Sequence, residues 1–368
     1  MKIKIGQSKL SRALNAVSRV AAGSRATLPV LNNVLICAEK GKVSLTTTNL
    51  DMAIVDYLPI KPEEEGKITV PARLLADFVG NLPREEEIEI KTKGTKITVS
   101  AGKYQSVMNG VDADDFPTLP NIDEKKAVKF LLNIDDFKSG INEIIIASSN
   151  DMTRPALTGV YFNTSDSALF VAATDGYRLA EKKLVDKVKS DVAVIVPATS
   201  LQEVMRSIHD DIDEIEMLFD ESQVVFRLGE VEITSTLIDG SFPDYQPLIP
   251  KDNEICLTLN KEEVTRVTKL AALFAKEVGG SIVCETNKKK GVFSISSVAN
   301  EFGENSSEIE TEIKNDGKVT LNSKYLIDAL NALEEKEIIF EFSTKMTPVV
   351  VKNKKNKDYT HIIMPLKS

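Results

Sequence analysis

The sequence predicts an α+β chain of three tandem copies of one domain, each with two helices and roughly eight strands in antiparallel sheets backing them. Three observations carry this. A strand–turn–helix unit recurs as "IKIGQSKLSRALNAVSRVAA", "FLLNIDDFKSGINEIIIASS" and "LTLNKEEVTRVTKLAALFAK", with its turn residues Gly6, Asn133 and Asn260 set 127 residues apart. A second strand-then-helix signal recurs as "ITVPARLLADFVGNL", "VIVPATSLQEVMRSI" and "VTLNSKYLIDALNAL", anchored on Pro71, Pro197 and Asn322 at spacings of 126 and 125. Each second helix is then followed by strands alternating apolar and polar, beginning "EIEI", "EIEM" and "EIIF". A period this long is no solenoid repeat and fits duplicated whole domains.

The elements follow in order. The first helix runs from about Ser8 to Ala22. Pro71 and Pro197 suit a helix opening, where the missing N–H has no intrahelical partner to lose. In the third copy Asn322 or Ser323 supplies a cap instead. Two joints rich in proline and acid, near 117–127 and 243–254, repeat Phe116-Pro117 as Phe242-Pro243, 126 residues on. The expected domains are 1–120, 127–248 and 253–368.

At 42% hydrophobic the chain has ample core, and no apolar run approaches the roughly 18 residues of a membrane span. The opening "MKIKIGQSKLSRAL" lacks a signal-peptide apolar core. Cys37, Cys256 and Cys284 are too widely spaced for a disulfide framework or a CxxC metal site. A reduced cytoplasmic protein is expected.

A net charge of -9 disfavours nucleic acid unless the positive charge is localised. It is. Lys9, Arg12 and Arg19 share one arc of the first helix, opposite Leu10, Leu14, Val17 and Ala21. In the third copy Arg266, Lys269 and Lys276 repeat those offsets, opposite Val264, Val267, Leu270, Ala271 and Phe274. The second copy is weaker, with Asp135, Asp136 and Glu143 outweighing Lys138. The shorter helices add Arg73, Arg206 and Lys324. No recognition helix, RNP aromatic pair or zinc finger accompanies these faces, so contact would be to phosphates, independent of base sequence and permissive of sliding.

Chemistry is absent where an enzyme would need it. Neither histidine, His209 or His361, sits in a nucleophile motif, and a structural role is expected for both. No GxxxxGK[ST] and no strand-linked GxGxxG occur. The acids of Asp112–Asp115 read as solvated linker charge. No catalytic residue, metal or cofactor is expected. In "AATDGYRLA", Ala172–Ala180, no base or nucleophile accompanies Asp175, which reads as structuring the turn.

"SRATLPVLNNVLI", "TRPALTGVYF", "ATDGYRLA", "SFPDYQPLIP" and the terminal "MPLKS", in order along the whole chain, resemble the bacterial DNA polymerase III beta subunits, the sliding clamps. The resemblance implies three clamp (processivity-fold) domains per chain. It also implies a head-to-tail homodimer, a six-domain ring around double-stranded DNA with helices lining the hole. It implies no catalysis and no cofactor, and a separate ATP-using loader that opens the ring. Implied partners are the polymerase III alpha subunit, clamp loader subunits and other proteins carrying a clamp-binding motif.

By the same resemblance, a peptide groove between the second and third domains uses Leu157, Thr174, Gly176, Tyr177, Arg178, Leu179, Pro243, Leu248, Ile362, Met364, Pro365 and Leu366, with Met346 and Val349 as its third-domain wall. Tyr177 stands where some members have His, and Pro247 where some have Arg; both would alter peptide preference. Arg25 and Arg73 match basic family positions on the DNA side. Arg154 does too, although its R-P-x-L setting suits a structural role equally. Leu273, apolar near the cationic side of its helix, joins Phe274 and the strand around Met108 as the expected subunit interface. The rival readings are a clamp-fold interaction scaffold that does not encircle DNA, and a nucleic-acid enzyme.

Overall fold

The computed structural model describes residues 1–22, 28–299, 303–343 and 346–367. The first repeat contains β1 (Lys2–Gly6), α1 (Gln7–Ala22), β2 (Asn33–Glu39), β3 (Lys42–Thr48), β4 (Met52–Leu58), β5 (Gly66–Pro71), α2 (Ala72–Gly80), β6 (Glu87–Lys93), β7 (Lys96–Ala101) and β8 (Tyr104–Asn109). The second contains β9 (Val128–Asn133), α3 (Ile134–Ile145), β10 (Gly159–Ser165), β11 (Ala168–Thr174), β12 (Arg178–Asp186), β13 (Ala193–Pro197), α4 (Ala198–Ser207), β14 (Glu214–Phe219), β15 (Gln223–Leu228) and β16 (Val231–Thr236). The third contains β17 (Ile255–Asn260), α5 (Lys261–Ala275), β18 (Ser281–Asn287), β19 (Val292–Ala299), β20 (Gly303–Glu310), β21 (Gly317–Asn322), α6 (Ser323–Ala332), β22 (Glu337–Phe342), β23 (Val349–Asn353) and β24 (Tyr359–Ile363).

The repeat anchors do the local work expected of them. Asn260 caps α5 by accepting from the Glu263 N–H at 3.1 Å. Asn322, rather than Ser323, caps α6 through the Lys324 N–H at 2.9 Å. Pro71 is the residue that opens α2.

The chain divides into two compact units, Met1–Ile134 with Thr199–Leu237, and Asp135–Ala198 with Ile238–Ser368. The first holds a four-stranded sheet, β1-β6-β7-β8, and an eight-stranded sheet, β5-β2-β3-β4-β16-β15-β14-β9. The second holds an eight-stranded sheet, β13-β10-β11-β12-β24-β23-β22-β17, and a four-stranded sheet, β20-β19-β18-β21. Each large sheet is therefore made of two repeats, joined along β4·β16 (Met52↔Ser235 to Asp56↔Val231) and β12·β24 (Arg178↔Ile363 to Lys182↔Tyr359). Backbone ladders, not side-chain packing alone, hold successive repeats together.

The first helix buries the face its sequence predicts: Leu10, Leu14, Val17 and Ala21 are all within the core. On α5 the stripe is rotated. Val264, Val267, Thr268, Ala271 and Ala275 are inside, Phe274 is half-buried, and Leu270, expected on the back, is 43% exposed. Thr268 takes the inner place because its hydroxyl is satisfied by the Val264 carbonyl at 2.7 Å, so its burial leaves no polar group unpaired.

Candidate functional site

The segment between β11 and β12 is a tight turn built from its own side chains. Gly176 has φ +90, a conformation that favours glycine. The Asp175 carboxylate accepts from the backbone N–H of Tyr177 (2.9 Å) and Arg178 (3.0 Å). Thr174 Oγ1 donates to the Arg178 carbonyl at 2.6 Å and accepts from the Gly176 N–H at 3.0 Å. Asp175 thus structures the turn. The N–H of Met364 donates to the Tyr177 carbonyl at 2.8 Å, which ties the C-terminal strand to the turn.

Strand alternation then assigns faces. Leu179 lies opposite Thr174 on one side and Ile362 on the other, and Ile362 lies opposite Val350. Leu179, Ile362, Val350, Ala172 and Tyr245 form one buried apolar cluster, with Tyr161, Phe242 and Ile249 packed against it. The Tyr161 and Phe242 rings stack at 4.8 Å, and Phe242 meets Tyr245 edge-on at 6.0 Å. Of the other expected groove residues, Tyr177 (62% exposed), Leu248, Met346 and Pro243 are exposed, and Met364, Pro365 and Leu366 are half-buried. Leu157 is buried. A buried apolar cluster together with exposed apolar side chains has the composition suited to a peptide slot.

One expected groove residue faces away. Val349 pairs with Ile363, which pairs with Arg178, so it belongs to the opposite face and is fully buried. Val350 is the slot-side residue of that strand, because a one-residue shift reverses the face. Arg178 also points to the helix side. Its Nε lies 3.1 Å from Asp175 and its NH1 2.6 Å from Asp328 of α6, and its guanidinium carbon sits 4.7 Å from the Tyr325 ring centroid. Tyr325 in turn stacks with Tyr177 at 6.4 Å. Arg178 therefore ties α6 to the turn. It also lines, with Asp175, Tyr177, Arg154, Lys324 and Tyr325, a polar recess of about 490 Å³. Tyr245, Tyr325, Asp328 and Val350 escaped the sequence reading; Val350 was available from the period of two along its strand.

Behind the slot, Lys182 on β12 pairs with Glu143 of α3 and donates to Ser139 at 3.0 Å. The Tyr359 hydroxyl lies 3.3 Å from the Glu143 carbonyl oxygen and 2.8 Å from His361 Nδ1. His361 is fully buried and its Nε2 has no hydrogen-bond partner among the described residues. Burial, and secondarily the Arg178 charge, depress its pKa to about 3. The imidazole is therefore neutral and structural. Its native pKa lies below that of the unfolded chain, so between pH 6.5 and 3 the unfolded state binds more protons and stability falls as pH falls. The expected slope from this group is about 1.4 kcal/mol per pH unit. The drop in melting temperature from pH 7 to pH 5 should shrink in His361→Gln; an unchanged drop contradicts the assignment.

The first unit's joint is built differently at the matching positions. There Ala53 pairs with Thr234 where the second unit has Leu179 with Ile362. Ile122, 126 residues before Leu248, packs down onto Leu218 and Val225 instead of standing exposed.

The cationic helix faces also need revision. Lys9, Arg12, Arg73, Arg266 and Lys269 are exposed, and Arg25 lies outside the described residues. Arg19 is engaged within the first unit: its guanidinium pairs with Glu203 of α4, donates to Ser207 Oγ at 3.1 Å and to the Asn15 carbonyl at 3.3 Å. Three of its N–H groups are used internally, although its side chain stays 33% exposed. Arg206 lies 3.4 Å from the same Glu203 with its side chain 62% exposed. At the expected interface Leu273 is 61% exposed and Phe274 half-buried, but Met108 points inward at 5%. Val107, its neighbour on β8, is the residue presented to solvent.

Among the described residues, no group of three or more His, Cys, Asp or Glu is placed to hold a metal, and no helix is long and apolar enough to cross a membrane. Family models for the DNA polymerase III beta subunit match the chain end to end: the N-terminal domain over 1–120, the central domain over 131–244 and the C-terminal domain over 246–367. The chain belongs to the DNA polymerase III beta subunit family. The Bacillus subtilis beta sliding clamp is 30% identical over 384 residues, covering all of both chains, and that of Staphylococcus aureus is 30% identical over 372 residues, 98% of this chain and 97% of the relative. Among solved structures, the Bacillus subtilis DNA polymerase sliding clamp superposes with TM-score 0.94 at 29% identity over 100% of this chain and 99% of that one. The Pseudomonas aeruginosa clamp bound to griselimycin gives 0.93 at 27% identity over all of both chains. Each repeat is thus one clamp domain, and the beta subunit is a non-catalytic clamp of DNA polymerase III.

Proposed function

We propose that two copies of the chain close head to tail into a six-domain ring that encircles double-stranded DNA and tethers polymerase to it. The observation that carries this is the pair of unfinished sheets. Each internal joint pairs the last strand of one half-sheet with the last strand of another, β4 with β16 and β12 with β24. By the repeat, β20 corresponds to β4 and β12, and β8 to β16 and β24. Both β20 and β8 end their four-stranded sheets unpaired. Joining β20 of one chain to β8 of a second repeats the internal joint twice and leaves no such edge, a heterologous contact that closes. Val107 and Leu273 supply apolar surface for that seam.

In the ring, Lys9, Arg12, Arg73, Arg206 and Arg266 hold phosphates diffusely, with Arg25 assigned there by family position. The domains run 1–120, 127–248 and 253–368. The slot around Leu179, Ile362 and Val350 takes the clamp-binding peptides of the polymerase alpha subunit, loader subunits and other partners, and the protein works in the cytoplasm on the nucleoid. Tethering raises the local concentration of polymerase at the primer end without adding contacts.

Threading has a topological signature. Loaded by a clamp loader, the protein should stay on nicked circular DNA through gel filtration and be lost when the circle is cut once. Equal retention on circle and linear DNA would instead support a scaffold that does not encircle DNA.

A further inference from the structure

Both joints inside the chain carry a carboxylate at one repeated place on the second helix of the later domain. In the first unit Glu203 of α4 holds Arg19, and in the second Asp328 of α6 holds Arg178. The repeat puts Asp77 of α2 at the same place, 126 residues before Glu203, with Asp328 a further 125 on. Asp77 is exposed, and no hydrogen bond or ion pair to its carboxylate occurs among the described residues.

The opposite side of each joint repeats as well. Arg19, Ile146 and Leu273 are spaced by 127 residues at the ends of α1, α3 and α5. Ile146 lines a cleft of about 360 Å³ with Asn142 and Glu143, facing Asp328 and Asn331. The two internal joints therefore bring together equivalent helix faces. On α5 the face with those offsets is Arg266, Lys269, Leu270 and Leu273. Leu270 and Leu273 are exposed on it, and the rotation of the α5 stripe is what leaves them there. The Arg19 guanidinium folds back to the Asn15 carbonyl, and Asn15 corresponds to Lys269, 254 residues on. Lys269 thus lies one helical turn before the place of Arg19, on the same face, where a reach longer than that of asparagine can carry a positive charge to the corresponding joint. No ion pair to it occurs among the described residues.

We infer that Asp77 of one chain pairs with Lys269 of a second copy, so that the repeated carboxylate meets a cation across the seam between subunits as it does across the two inner joints. This rests on the ring reading above. It moves Lys269 from the DNA-facing set to the seam, with Leu270 and Leu273 shielding the pair from water and salt. An interfacial pair so placed fixes register, and like charges in its place are strongly unfavourable.

The test is a charge reversal read by mass photometry or sedimentation on the full chain over a dilution series. A ring has two seams, so Asp77→Lys alone opposes two cations at each, and Lys269→Glu alone opposes two anions. Each variant alone should dissociate at concentrations about ten-fold or more above the parent. Mixed together, the two chains make complementary charges at both seams. The mixture should therefore form the heterodimer in excess over random proportions and regain near-parent stability, a recovery that misfolded chains could not give. Homodimers as tight as the parent, or random mixing, would overturn the pairing while the parent's dimeric mass left the ring reading standing. A monomeric parent would overturn both.

Discussion

Replacing Arg178 by alanine is expected to destabilise the second unit by about 3 kcal/mol, because it strands carboxylates that the guanidinium now neutralises. Arg178 is 8% exposed and joins Asp175, in the turn, to Asp328, on a helix 150 residues further along the chain. Removing it leaves a half-buried negative pair beneath the slot and frees the Tyr325 face. Arg178→Lys should recover little, since one ammonium cannot reproduce the fork that reaches both carboxylates. Arg178→Ala combined with Asp328→Asn should recover part of the loss, because the uncompensated charge is removed with its partner. Thermal or urea unfolding of the three variants checks this. Additive losses in the double variant would mean that the two side chains are not coupled. Peptide capture by folded Arg178→Ala should also fall, since the arginine both holds the turn and lines the recess beside Tyr177.

Deleting Met364–Ser368 should have the reverse profile: little loss of stability, and a fall in binding of a clamp-binding peptide by about 30-fold or more. These residues follow the last strand. They are tacked down by the Met364 N–H to Tyr177 and the Leu366 N–H to the Thr320 carbonyl, both at 2.8 Å. Met364, Pro365 and Leu366 are half-buried and follow directly on Ile362 and Ile363 of the last strand. Fluorescence anisotropy of a labelled peptide against the full and shortened chains measures the change, and a dimeric mass for the shortened chain separates it from the seam. Peptide binding at parental affinity would place the slot elsewhere.

The repeat, its helices and the absence of catalytic chemistry were legible because they rest on period and spacing, which survive divergence between copies. The helix faces of α1 were legible for the same reason. Two kinds of error remained. Val349 and Met108 were assigned from neighbouring motifs without the register, and a single step along a strand turns a wall residue into a core residue. Arg19 and Arg178 were read as free cations, yet each meets a carboxylate 184 or 150 residues away. No local pattern announces such a partner. The repeat itself held the clue: Glu203 and Asp328 sit at one position of the duplicated unit, and an acid kept at that position in helices otherwise presenting basic side chains asks for a cation across the joint.

The shared ladders at β4·β16 and β12·β24 also bear on how far such a chain can drift in sequence. Peptide groups make those bonds, and every residue but proline supplies the same donor and acceptor. Most substitutions along these strands therefore leave the register between domains intact, provided that inward and outward character is kept. A chain assembled this way can lose most of its residue identities before it loses its architecture, consistent with a TM-score of 0.94 at 27–29% identity. The positions where a substitution should cost most are then few: strand sites closed to proline, and the acids whose partners lie across a joint.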